Sequence, residues 1–339
     1  MLKVKNKTTQ YIFLIFASLT FFLGLVALFN FTVDPMCYYR CDKVDLNRKT
    51  QNVYYRSAQT AVANPDAEVI VVGSSRGERV PPHWVESVTG LKTINLSQGG
   101  SDVFLKVALL NIALEQNPKI KKVIWMADYF ELTTRTTDIK TRLTPILRKY
   151  SGMDRSGVGH GILLEQLQGL IDHRTLEAGI EMSGKSYSET FNKEGSGDSI
   201  DYRHCQEPGF VGPTPPEMMQ KKISESYAIF GNFWADEQNP IYWNIFENEI
   251  RDLSAKGIDV IINLAPFHPQ LVARAKNENP MTEQNQNKWV ERTKALADGR
   301  VKVLNYVGGI PNDDGSPRYW EDGAHPTCFG VIEMLKDGF

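Results

Sequence analysis

Apolar residues fall along this chain in two patterns. The first is one long run, Tyr11 to Phe31, 21 residues without a charged side chain. At about 1.5 Å rise per residue a helix there reaches about 31 Å, matching a bilayer core of roughly 30 Å. The second is a series of short runs: Val69-Ile70-Val71-Val72, Thr93-Ile94-Asn95-Leu96, Val123-Ile124-Trp125-Met126-Ala127, Val260-Ile261-Ile262-Asn263-Leu264 and Val301-Lys302-Val303-Leu304. Runs this short and continuous suit strands covered on both faces, as in a parallel sheet. Helical patterns lie between them. Leu105 to Leu114 is strongly apolar and stops at Pro118; Tyr242, Ile245, Phe246, Ile250 and Leu253 share one face, with Gly257 placed to end that helix. A third helical stretch runs from about 283 to 297, before Gly299. The alternation predicts a doubly wound α/β fold on a five-stranded parallel sheet. Ligands of such sheets bind beyond the carboxyl ends of the strands, where Ser75 falls.

Lys3, Lys5 and Lys7 precede the long run, which exits through Asn30, Thr32, Val33, Asp34 and Pro35 without an A-x-A cleavage pattern. A cleaved signal peptide has a shorter apolar region. The expectation is a single-pass signal-anchor in the cytoplasmic membrane, its lysines inside and the remaining chain extracytoplasmic. Four segments follow: a cytoplasmic N-terminus (1–10), the membrane helix (11–31), a juxtamembrane connector (32–65) and an α/β domain (66–339). Residues 33–63 read as a connector and a short helix polar enough to lie on the surface. The stretch from about 133 to 240 breaks the alternation, with a helix near 162–171 and a polar, Gly-, Ser- and Pro-rich segment over 183–216. It reads as an insertion over the strand ends, either a lid or cap or a surface excursion without a role. Its aromatics Tyr187, Phe191, Tyr202 and Phe210 suit sugar stacking or plain packing. The chain ends 14 residues after His325, short for a closing helix and consistent with an incomplete C-terminus.

Composition narrows the function. A net charge of −2 and a pI of about 6.3 give no basic field for nucleic acid. Cys37, Cys41, Cys205 and Cys328 allow three disulfide pairings in an oxidising compartment. With no C-x-x-C pair or clustered histidines beside them, no metal or other cofactor is expected.

Three segments carry candidate chemistry. Val72-Gly73-Ser74-Ser75-Arg76 ends the first strand and exposes a serine whose own N–H can face an oxyanion. Asn95-Leu96-Ser97-Gln98-Gly99-Gly100-Ser101 follows the second strand. Asp322-Gly323-Ala324-His325-Pro326 lies near the C-terminus, where a carboxylate three residues before an imidazole can hold its tautomer. Taken singly, each reads equally as a helix-capping serine, a glycine turn and a surface turn. Taken in order, they resemble the signature blocks of the SGNH (GDSL-like) hydrolase superfamily, over about residues 66–132 and 255–330.

That resemblance implies a flavodoxin-like sheet of SGNH type with Ser75 as nucleophile, His325 as general base and Asp322 orienting it. It assigns the oxyanion donors to the N–H groups of Ser75 and Gly100, with Gly99 as the rival. Ser74 replaces the family's usual aspartate, and Trp125-Met126-Ala127-Asp128-Tyr129-Phe130 lacks the family's usual asparagine donor. An ionised Asp128 there would repel an oxyanion. The block resembles membrane-anchored SGNH-like proteins of bacterial cell-surface polysaccharide O-acylation and D-alanylation pathways. Arg76, His268 and Asp128 are the remaining candidate substrate contacts, with a structural ion pair the competing role for Arg76. His83, His160, His173 and His204 have no recognisable partners in the sequence.

The resulting expectation is a serine-dependent esterase or O-acyltransferase. Its partners would be an acylated envelope glycan or acyl donor and a membrane-bound acyl-transfer or export protein. The alternative is a catalytically weak glycan-binding or assembly component of such a complex.

Overall fold

The computed structural model describes residues 7–133, 139–153, 162–184, 216–316 and 318–339. Helix α1 (Lys7–Val33) contains a 24-residue apolar stretch, Gln10–Val33, long and apolar enough to cross a membrane. After α2 (Val53–Ala63) come β1 (Val69–Val72), α3 (Pro82–Thr89), β2 (Thr93–Asn95), α4 (Val103–Gln116) and β3 (Lys122–Ala127). Among the described residues five shorter or peripheral helices follow: α5 (Ile139–Leu143), α6 (Pro145–Ser151), α7 (Ile162–Ile171), α8 (His173–Gly184) and α9 (Pro216–Phe230). The chain then runs through α10 (Pro240–Ala255), β4 (Asp259–Leu264), α11 (Pro269–Glu278), α12 (Met281–Lys294), β5 (Val301–Asn305) and α13 (Cys328–Leu335).

The five strands form one all-parallel sheet in the order β2-β1-β3-β4-β5. The strand order reverses at β1, so the β1–β3 junction is the switch point at which such sheets open a crevice. Helices cover both faces. Alternate residues of a strand point to opposite sides: Trp125 of β3 meets Phe246 of α10 at 5.2 Å between ring centroids. Ile261, the register partner of Ile124, faces the other way. There a Cβ built on Gly338 would lie 3.3 Å from it. All four residues of β1 are buried, which accounts for a continuous apolar run instead of an alternating one.

Local signals set the helix ends. The Asp102 carboxylate accepts from Leu105 N–H at 2.9 Å to start α4, and Pro118 stands just beyond its end. Pro240 opens α10, and Gly257, at φ 80°, follows its last turn.

One expectation is corrected. The helix in the connector is not a surface element: Tyr54, Tyr55, Ala58 and Ala61 of α2 join the main core. Ser57 and the Gln59 amide nitrogen find hydrogen-bond partners inside, so its composition hides its burial. The Gln59 side-chain amide donates to the carbonyls of Asp45 (2.7 Å) and Arg48 (2.9 Å), and Asn52 caps the helix. Cys37 and Cys41 are disulfide-bonded to each other, and Cys328 is also disulfide-bonded. Cys205 lies outside the described residues, as do His160, His204 and the aromatics Tyr187, Phe191, Tyr202 and Phe210.

Candidate active site

The turn after β1 is built by close approach. A Cβ on Gly73 would stand 2.8 Å from both Gly77 Cα and Met126 Cβ, so only glycine lets the chain fold under itself here. The turn delivers Ser75 to the carboxyl edge of the sheet. There its Oγ lies 2.8 Å from His325 Nε2, across 250 positions of sequence.

The opposite ring nitrogen, Nδ1, lies 2.9 Å from Asp322 Oδ2 and 3.0 Å from Oδ1. Asp322 Oδ1 also accepts the backbone N–H groups of Ala324 (2.6 Å) and His325 (2.9 Å). Burial would raise this carboxyl, but its bond and charge interaction with His325 and the two N–H donors outweigh that and hold it at about 2. Nδ1 therefore carries the proton toward Asp322, and Nε2 is free to accept from Ser75. The arrangement can deprotonate the serine alcohol.

The glycines divide differently from their spacing. A Cβ on Gly99 would lie 3.9 Å from Ser75 Cβ, whereas one on Gly100 would face the Tyr54 hydroxyl at 3.6 Å. Gly99 is thus the glycine beside the serine. Its N–H donates to Glu78 Oε1 at 2.6 Å. Burial raises the Glu78 carboxyl, opposed by the Gly99 N–H, Arg79 and His325. Glu78 is a site residue that the sequence reading missed. Its only sequence signal is its place three residues after Ser75 on the same tight turn.

Arg76 and Asp128, both candidate substrate contacts from sequence, face inward. They are 2% and 0% exposed and form an ion pair with each other. The Arg76 guanidinium also donates to the Pro266 carbonyl (3.0 Å) and stacks over the Phe267 ring at 4.2 Å. Lys106 bonds Asp128 (3.3 Å), the Met126 carbonyl (2.7 Å) and Glu131, whose other oxygen accepts from Trp125 Nε1. Two basic side chains thus meet two carboxyl groups beneath the serine turn. Burial opposes ionisation of Asp128, but Arg76 and Lys106 prevail and keep it low. Asp128 therefore exerts no bare charge on the site. Burial lifts Glu131, at the far end of the network, to about 7.

His268 is also buried. It is 1% exposed, caps α11 through Gln270 N–H, packs on the Trp320 ring and sits 3.3 Å from the Gly315 carbonyl. Burial lowers its pKa, opposed by the Gly315 carbonyl and Asp313. Its backbone N–H donates to the Gly323 carbonyl at 3.0 Å. It braces the Asp322–His325 loop instead of reaching over it.

Helix α9, from the end of the insertion, packs on the same loop. The Ser226 hydroxyl accepts Gly323 N–H at 3.1 Å, and the Phe230 ring stands edge-on to His325 at 6.2 Å. Among the described residues no group of three or more His, Cys, Asp or Glu could hold a metal ion. No protein-family model matches the chain, and no curated protein matches it.

Proposed function

We propose that this protein is an extracytoplasmic esterase or O-acyltransferase of the SGNH type, acting on acyl groups of a cell-surface polysaccharide or envelope glycan. The observation that carries the reading is the chain of contacts Ser75–His325–Asp322, joining the first strand's turn to a loop near the C-terminus. Ser75 Oγ attacks the ester carbonyl while its proton passes to His325 Nε2. The tetrahedral oxyanion draws on the N–H of Ser75 and on that of Gly100, or of Gly99 once Glu78 releases it. His325 then gives the proton to the departing alkoxide, leaving an acyl-serine. Water or a sugar hydroxyl, deprotonated by the same imidazole, takes the acyl group and regenerates the serine. Helix α1 anchors the domain, with Lys3, Lys5 and Lys7 on the cytoplasmic side.

One observation favours a second reading, a glycan-binding or assembly component with weak catalysis: the N–H of the glycine beside Ser75 is already bonded to Glu78. Surface O-acyl content compared between Ser75→Ala and a gene deletion separates the two. Equal change in both supports chemistry, and a change only on deletion supports assembly.

A further inference from the structure

Helices α7 and α8 form a hairpin, and α7 exposes apolar residues where a helix of a soluble domain would bury them. Leu163, Leu167 and Ile171 lie on one line of α7, at i, i+4 and i+8, with Leu164 alongside. All four are exposed, at 71%, 52%, 52% and 62% respectively, and Ile180 of α8 is exposed at 60%. Two of the three polar side chains of α7 point into the protein instead, while Gln168 stays exposed. Glu165 pairs with Arg142, the Gln166 side chain donates to the Tyr38 carbonyl at 2.9 Å, and the Gln166 carbonyl accepts from the Tyr39 hydroxyl at 2.8 Å. A helix at the surface of a water-soluble domain places these faces the other way round.

The hairpin is seated on the end of α1. Asn30, fully buried, donates its side-chain amide to the Leu170 carbonyl at 2.8 Å. Small residues allow the approach: a Cβ on Gly179 would stand 2.7 Å from the Phe29 ring, and one on Gly169 2.9 Å from the Tyr39 hydroxyl. About 20 residues span a hydrocarbon core of roughly 30 Å. Counted from Tyr11, that core ends near Asn30, the level at which the hairpin docks. From Tyr11 to Leu25 the helix is open on all sides, whereas near Asn30 the hairpin covers it.

We propose that the α7–α8 hairpin is a monotopic membrane element, with Leu163, Leu164, Leu167, Ile171 and Ile180 buried in the acyl–headgroup boundary of the leaflet where α1 emerges. The inference rests on the reading of α1 as a membrane span. The lipid surface is the occupant that fits, because the exposed apolar stripe lies on a helix docked against α1 at Asn30, the level at which the counted hydrocarbon core ends. An interfacial helix has the same character: one apolar face in the acyl boundary and a polar face kept from it. The hairpin then fixes the height and tilt of the domain over the bilayer, which a single helix cannot do alone.

The test uses the full chain reconstituted into phosphatidylethanolamine–phosphatidylglycerol vesicles, with and without brominated acyl chains, reading tryptophan emission. Leu167→Trp and Leu163→Trp report on the stripe, Phe22→Trp on α1, and Val88→Trp on exposed apolar surface of α3, away from α1. The expected result is a loss of the added emission at 167 and 163 comparable to that at 22, with a shift to shorter wavelength, and no loss at 88. Loss at 22 without loss at 163 and 167 overturns the hairpin's membrane role and leaves the anchor standing. No loss at 22 overturns the anchor reading, and the inference with it. Equal loss at 88 shows general adsorption and also overturns it.

Discussion

The Glu78 carboxylate and the Gly99 amide are joined by a 2.6 Å hydrogen bond, and Gly99 packs beside Ser75. An N–H held by a carboxylate cannot serve a developing oxyanion until that carboxylate leaves. Hydrogen bonds to charged groups are worth about 1.5–3 kcal/mol net, and every 1.4 kcal/mol or so is tenfold in rate. Glu78→Ala should therefore raise kcat/KM toward a small neutral ester such as p-nitrophenyl acetate, on the order of tenfold. A fall instead would mean that the carboxylate serves the substrate or holds the Gly99 turn in place.

Asp322 is positioned as strictly as any group in the site, with two backbone donors and the imidazole on its two oxygens. Asp322→Asn keeps the shape but offers an amide where the ring needs an acceptor. The tautomer it favours places the proton on the nitrogen facing Ser75. Ester turnover should fall by about 10⁴ with little change in thermal unfolding. An unaltered rate would remove Asp322 from the mechanism.

Arg76 tests the division between site and scaffold. Truncating one partner of a buried ion pair costs about 3–5 kcal/mol, because the other charge stays buried. Arg76→Met should lower the unfolding free energy measured in urea by that order, shifting the midpoint down, and adding Asp128→Leu should recover much of the loss. A substrate contact would instead raise KM and leave the midpoint alone.

Glu249 of α10 is 7% exposed and bonded to Asn111, and burial lifts its carboxyl to about 7. A carboxyl raised in the folded state favours folding at low pH. That contribution is complete below the unfolded value of 4.5 and is lost as pH rises through about 7. Glu249→Gln removes the dependence. The variant should match the parent near pH 4 and exceed it in unfolding free energy at pH 8, by at most about 3 kcal/mol. Parallel stability curves for the two proteins would contradict this.

The five strands were legible because parallel strands buried on both faces write themselves as apolar runs, Val69–Val72 most plainly. The chain order of the blocks also put Ser75 at a strand's carboxyl end. What the sequence hid were charges that find partners only in three dimensions. Arg76, Lys106, Asp128 and Glu131 come from a turn, a helix and the end of β3, and no spacing rule joins them. Polar α2 hid its burial because Gln59 satisfies backbone carbonyls. The exposure of the apolar stripe of α7 was invisible for the same reason: periodicity names a stripe but not the direction it faces.

The central claim is that Ser75 is an activated nucleophile. The most direct measurement treats the membrane-embedded full chain with a fluorophosphonate probe and locates the adduct by peptide mass spectrometry. The account predicts one adduct on the peptide carrying Ser75, absent in Ser75→Ala and strongly reduced in His325→Ala. An unlabelled parent protein, or labelling that persists in Ser75→Ala, would contradict it.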